Sequence, residues 1–257
     1  MRRNSGFSLL ELSIVLVIIG LLASGVMVGQ SLVRGAEIRS VITDLNKIST
    51  ATNAFRLKYN ALPGDMKNAT AYWGVRAAGT DVVCHQTINT TTGTCNGDGN
   101  GIIDYIAGDS ATFGERFLAW QHLSRAGLIE GNFTGASGST TSLLAVPETN
   151  VASSKITSSF FSFGYLYGPY SGDVNVFDGS YNRNLIALYT TSAPPLKPEE
   201  AWNIDTKLDD GRPATGIVFT WKNTSVWGPG CATTDVVSTA AYALTSNSNL
   251  CLISFKL

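Results

Sequence analysis

Between Phe7 and Val28 lie 22 residues of which only Ser8, Glu11, Ser13 and Ser24 are polar. At about 1.5 Å per residue, a helix of that length crosses a hydrocarbon core of roughly 30 Å. Arg2 and Arg3 precede the run, so the positive-inside rule keeps the N-terminus in the cytoplasm and sends the rest outward. A secretory signal peptide is the competing reading, with Ala23-Ser24-Gly25 as its cleavage site. Its apolar core would be shorter. Here the run continues past that site to Val28, which favours an anchor. Glu11 interrupts the run, and a carboxylate inside a bilayer costs about 2.5–3.5 kcal/mol on insertion scales. Either it has a cationic partner, or it lies close enough to the helix start to reach the interface.

The segment Gly6-Phe7-Ser8-Leu9-Leu10-Glu11-Leu12, behind a short basic leader, resembles the processing site of type IV prepilins and type II secretion pseudopilins. The resemblance implies cleavage between Gly6 and Phe7 by the prepilin peptidase, a membrane aspartyl protease. It also implies N-methylation of Phe7 and an assembly role for Glu11. Elementary electrostatics agrees with it. Cleavage exposes an α-amino group at Phe7, four residues before Glu11. In a filament, the amine of one subunit neutralises the carboxylate of its neighbour inside the apolar bundle. That pairing removes the cost of a lone buried charge and sets the axial register.

Beyond the apolar run, Ile38, Val41, Leu45, Ile48, Thr52, Phe55 and Tyr59 recur at helical spacing. Arg39, Asp44, Asn46, Lys47, Asn53, Arg56 and Lys58 supply the polar side. One helix is therefore expected from about Ser8 to Tyr59, roughly 75–80 Å long. Its first half is apolar all round and meets lipid or other subunits. Its second half is amphipathic and covers the chain's own head. Many major pilins carry a proline where this chain has Val28. Leu62-Pro63-Gly64-Asp65 reads as the turn that stops the helix.

The stretches Tyr59–Asp65, Ala71–Gly74 and Asn203–Gly211 also resemble a subgroup of bacterial pilins. A second helix is expected from Phe113 to Ala126, with Phe113, Phe117, Trp120 and Leu123 as core and Gly127 as its stop. Short strands are expected at Phe160–Tyr167, Leu185–Thr190, Gly216–Trp221 and Leu250–Leu257, the last with Cys251, Ile253, Phe255 and Leu257 on one face. The fold class is α+β, and the resemblance implies a long N-terminal helix packed on an antiparallel β-sheet head. The organisation is a leader at 1–6, a transmembrane and polymerisation helix at 7–29, an amphipathic helix at 30–59 and a globular head at 60–257.

Four cysteines, all beyond the apolar run, suit an oxidising compartment and admit three pairings. Cys84 with Cys95 and Cys231 with Cys251 close one loop in each half of the chain, the preferred arrangement. The second pair resembles the C-terminal disulfide loop of many pilins. A zinc site would want a Cys-x-x-Cys pair, which the chain lacks.

The strongest ligand motif is Asn96-Gly97-Asp98-Gly99-Asn100-Gly101-Ile102-Ile103-Asp104. Oxygen donors at Asn96, Asp98, Asn100, Ile102 (main chain) and Asp104, with glycine at the sixth position, match a calcium loop of EF-hand type. The twelfth position, where a carboxylate belongs, is Ala107, and Asp109 and Glu115 are the nearby substitutes at a different spacing. The competing reading is a metal-free turn tied by the Cys84–Cys95 bridge. Asp205, Asp209 and Asp210 form a second acidic group, read as a capped turn first and a ligand set second.

Catalysis finds little to work with. The chain has 2 histidines, His85 and His122, neither beside an evident nucleophile, and His122 reads as structural. Gly135-Ala136-Ser137-Gly138-Ser139 lacks the spacing of a nucleophile elbow, and no phosphate-binding or dinucleotide fingerprint appears. A net charge of −1 argues against dedicated nucleic-acid binding.

The expected role is structural: a type IV pilus subunit, with a type II secretion pseudopilin or a monomeric membrane-anchored adhesin as alternatives. The resemblance implies the bacterial inner membrane as first location, head in the periplasm, and a surface filament afterwards. Implied partners are other pilins, the prepilin peptidase and the inner-membrane assembly platform. Calcium is the single candidate cofactor.

Overall fold

A computed structural model describes residues 8–76, 92–104, 114–137, 144–166, 177, 182–190, 193–223, 225 and 228–257. The chain divides into two compact units, Met1–Arg39 and Ser40–Leu257. Helix α1, Leu9–Tyr59, contributes to both. Its 51 residues match the expected span to within one residue.

In the first unit the apolar residues of α1 stand in the open. The large hydrophobics from Leu9 to Val33 range from 91% exposed at Leu9 to 51% at Ile14 and Ile18. Soluble monomers rarely expose a contiguous apolar patch beyond a few hundred Å². This one wraps the helix. The helix runs unbroken through Val28, the position of the missing proline. By length and composition it is long and apolar enough to cross a membrane.

The second half of α1 changes character as its periodicity demands. Val41, Leu45, Ile48, Ala51, Thr52 and Phe55 are buried, while Asn46, Lys47, Asn53, Arg56 and Lys58 face solvent. Each large apolar side chain on that stripe contributes about 1.5–3 kcal/mol by leaving water. Asn60 ends the helix in a left-handed conformation at φ 52°, its N–H donating to the Arg56 carbonyl at 2.9 Å. The Leu62-Pro63-Gly64-Asp65 turn follows.

The head places helix α2 (Ala69–Trp73) after that turn and helix α3 (Glu115–Arg125) later in the chain. Strands β1 (Ser159–Leu166) and β2 (Arg183–Thr190) come next. Helix α4 (Pro198–Leu208), strand β3 (Val218–Thr220) and strand β4 (Ile253–Lys256) complete the described elements. The strands form an antiparallel sheet in the order β1-β2-β4-β3. The architecture is thus α+β, a long N-terminal helix with an antiparallel sheet.

The chain's last strand is an interior one, with Phe255 registered against Ile186 on one side and Val218 on the other. Both of its faces are buried, because Leu252 and Ser254 are covered as well as Ile253 and Phe255. Leu257 lies past the strand and is 36% exposed, while Cys251, Ile253 and Phe255 of the same alternation are buried. A strand covered on both faces loses the inside–outside alternation of a half-buried one.

Helix α3 is buried from Glu115 through Leu123. Trp120 packs on Phe133 and Phe163, ring centres 5.6 and 4.8 Å apart, confirming the aromatics of this helix as core. Phe113, expected at its start, lies outside the described residues.

Candidate functional site

The start of α1 shows how the chain handles its misplaced carboxylate. Ser8 is the N-cap: its hydroxyl accepts from the Glu11 N–H at 3.3 Å, and the Glu11 carboxylate accepts from the Ser8 N–H at 2.8 Å. This reciprocal pair is a capping box, which satisfies two of the donors that a helix start leaves open. The Ser-x-x-Glu spacing that encodes it is visible in the sequence, a second signal at Glu11 beside its charge. Gly6 and Phe7 lie outside the described residues. Glu11 therefore has a local partner on its own chain, a hydrogen-bond donor without compensating charge.

In the head, the Asn96–Asp104 loop meets the turn that ends α1. Gly97 makes the approach possible, since a Cβ there would sit 2.3 Å from the Gly64 carbonyl oxygen and 2.4 Å from the Asp65 Cα. Gly64, at φ +91°, packs equally tightly against α3, where a Cβ would meet the Glu115 carbonyl oxygen at 2.4 Å. These contacts bring three carboxylates together. Asp65, Asp98 and Glu115 each place a carboxylate oxygen within 4.8 Å of those of the other two. Asp65 and Glu115 are buried and Asp98 is exposed.

Backbone donors hold the group in place. Glu115 accepts from the Asp98 and Asp104 N–H groups at 3.0 Å each, and Asp65 accepts from the Gly101 N–H at 2.9 Å. Burial pushes the Glu115 carboxyl up to about 8 despite those backbone donors, with the Asp65 and Asp98 charges adding to the rise. Burial likewise raises Asp65 to about 6. The low dielectric and the mutual repulsion disfavour three bare charges in one place.

The remaining loop residues have other tasks. The Asn96 side chain accepts from the Thr70 N–H at 2.9 Å and serves the start of α2. Asn100 donates to the Asp98 carboxylate at 2.9 Å and to that of Asp104 at 3.5 Å, while its own oxygen accepts from the Ile102 N–H. The group that converges thus includes Asp98 from the expected set, with Asp65 and Glu115 from elsewhere in the chain. Glu115 is one of the two substitutes named for the vacant twelfth position. Asp65 had no signal beyond its place in a turn, and Asp109 lies outside the described residues.

The second acidic group is fully engaged in local structure. Asp205 accepts from the Gly211 N–H at 3.0 Å and the Tyr242 hydroxyl at 2.8 Å. Asp209 accepts from the Ile217 and Val218 N–H groups, and Asp210 from the Arg212 N–H and the Thr215 hydroxyl. It is a capped turn at the end of α4.

His122 is structural. Its Nδ1 accepts from the Gly64 N–H at 3.0 Å, and its Nε2 faces the Thr94 hydroxyl at 3.1 Å and the Cys95 carbonyl at 3.3 Å. The ring stacks on Phe55 at an interplanar angle of 6°.

The Cys231–Cys251 disulfide is present, with a sequence separation of 20 and Cα atoms 5.0 Å apart. Cys95 is also disulfide-bonded, and Cys84 lies outside the described residues.

A bare apolar helix behind Arg2 and Arg3, joined to an α+β head with a disulfide, fits a membrane-anchored precursor. The prokaryotic N-terminal methylation motif matches residues 1–27. The chain carries, in other words, the signal motif of type IV pilins and pseudopilins. No curated protein and no solved structure gives a significant match.

Proposed function

We propose that the chain is a structural, non-catalytic subunit of a type IV pilus. On this reading residues 1–6 are a leader removed by the prepilin peptidase between Gly6 and Phe7, and Phe7 is N-methylated. Residues 7–29 then serve as membrane span and polymerisation helix, 30–59 carry the helix into the head, and 60–257 form the head. The protein waits in the inner membrane with its head in the periplasm, and the assembly platform builds it into a surface filament with other pilins.

The observation that carries this is the methylation motif running directly into a helix whose apolar side chains are exposed throughout Leu9–Val33. Lipid covers that surface before assembly and neighbouring helices cover it afterwards. Glu11 exchanges its capping-box donor, or supplements it, with the Phe7 ammonium of a neighbour. A charged partner in a low-dielectric bundle outweighs a neutral N–H.

Two substitutions test the role of the charge. Glu11→Ala loses both cap and charge, whereas Glu11→Gln keeps an acceptor for the Ser8 N–H. Both variants should accumulate in the membrane fraction and vanish from sheared filaments. Glu11→Gln incorporated at wild-type levels would refute a role for the charge. A membrane-anchored monomeric adhesin would localise and bind normally with either change. Wild-type protein absent from surface filaments yet required for type II secretion would make it a pseudopilin instead.

A further inference from the structure

We propose that Asp65, Asp98 and Glu115 form a calcium site on the head, at the junction of the turn after α1, the Asn96–Asp104 loop and the first residue of α3. The inference concerns the head alone and stands whether or not the chain assembles into a filament.

The three carboxylate oxygens within 4.8 Å of one another come from three separate stretches of chain. No lysine or arginine among the described residues forms an ion pair with any of them. The second observation is independent of that clustering. Asp65 is only 4% exposed, and its Oδ1 is buried without a hydrogen-bond partner. A buried polar atom left unpaired costs about 1–3 kcal/mol, and more when it is charged. A folded head with such an atom on one of three clustered carboxylates calls for a cation.

The donor set selects the ion. Carboxylate oxygens with no nitrogen or sulfur favour a hard cation, Ca²⁺ or Mg²⁺. Calcium takes several protein oxygens in a flexible shell, whereas magnesium keeps most of its waters and takes one or two carboxylates. Three protein carboxylates from separate stretches suit the first ion better than the second. Exposure of Asp98 leaves one side open to the waters that complete a flexible shell. An open groove of about 530 Å³ reaches Asp65, beside Lys67, Gly99 and Gly101.

The test uses the full chain in detergent micelles, stripped of metal with a chelator and titrated with Ca²⁺ by calorimetry and thermal unfolding. One calcium ion per chain and a rising unfolding midpoint are expected, with a smaller response to Mg²⁺ at equal concentration. Asp98→Asn removes an exposed ligand without disturbing the core. It should weaken calcium binding at least tenfold while leaving the metal-free midpoint unchanged or higher. Asp210→Asn, in the capped turn at the end of α4, should bind calcium as wild type does. The proposal is overturned by no calcium heat in the millimolar range, by equal responses to Ca²⁺ and Mg²⁺, or by wild-type affinity in Asp98→Asn. Stabilisation by acid alone, with no calcium response, would likewise overturn it and mark a proton-sharing carboxylate group.

Discussion

His122 shows how a single residue can knit distant stretches of chain together. It receives the Gly64 N–H, meets Thr94 and Cys95 with its other nitrogen, and stacks on Phe55 of α1. Replacing it with alanine strands a buried N–H and opens a cavity among rings. A loss of about 2–4 kcal/mol is expected in denaturant unfolding.

Asp205 makes a prediction about pH. Burial raises its carboxyl from the ordinary 3.8 to about 7, with Asp209 and Asp210 adding to the rise while Tyr242 and the Gly211 N–H oppose it. The native state therefore holds a proton that the unfolded chain has already released. Its contribution to stability is full below about pH 4 and is lost as pH rises through about 7. Asp65 and Glu115 slope the same way in the absence of metal. The difference between wild type and Asp205→Asn isolates the first effect: the variant's unfolding midpoint should fall less between pH 4 and 8.

At the scale of elements, the C-terminal strand depends on its disulfide. The bond closes 20 residues and holds Cys251 beside Leu196, whose N–H donates to the Cys251 carbonyl, just ahead of α4. Under the chain-entropy account, losing a loop closure of this size costs about 3 kcal/mol. Cys231→Ser with Cys251→Ser should lower stability by roughly that amount and expose β4 first in hydrogen exchange. Gly64→Ala should be as damaging, because both its φ and its contact with the α3 backbone exclude a side chain.

The elements differed in how plainly the sequence announced them. Helix α1 was legible end to end, since its period persists over many turns and Asn60 stops it with a local hydrogen bond. The strands were legible within a few residues. Helix α4 was missed, although Pro198 and Glu200 are ordinary start signals: the Glu200 carboxylate accepts the Lys197 N–H at 2.9 Å. The helix's buried face holds Pro198, Ala201, Ile204 and Asp205, too few apolar residues to show a period. Short α2 has no period to read. In the Asn96–Asp104 loop the local pattern supplied Asp98, but Asp65 and Glu115 stand 33 residues before and 17 residues after it. Only the close approach at Gly64 and Gly97 joins them.

For the whole molecule, the decisive fact is a helix too apolar to leave uncovered, attached to a head that buries its own core. On the proposed reading such a chain needs a membrane at one stage and neighbours at another, with cleavage before Phe7 converting the first state to the second. The most direct measurement is the mass of the N-terminal peptide from protein recovered in sheared surface filaments. The account predicts a peptide beginning at Phe7 and carrying one methyl group. Uncleaved protein beginning at Met1 or Arg2, absent from any filament, would contradict it.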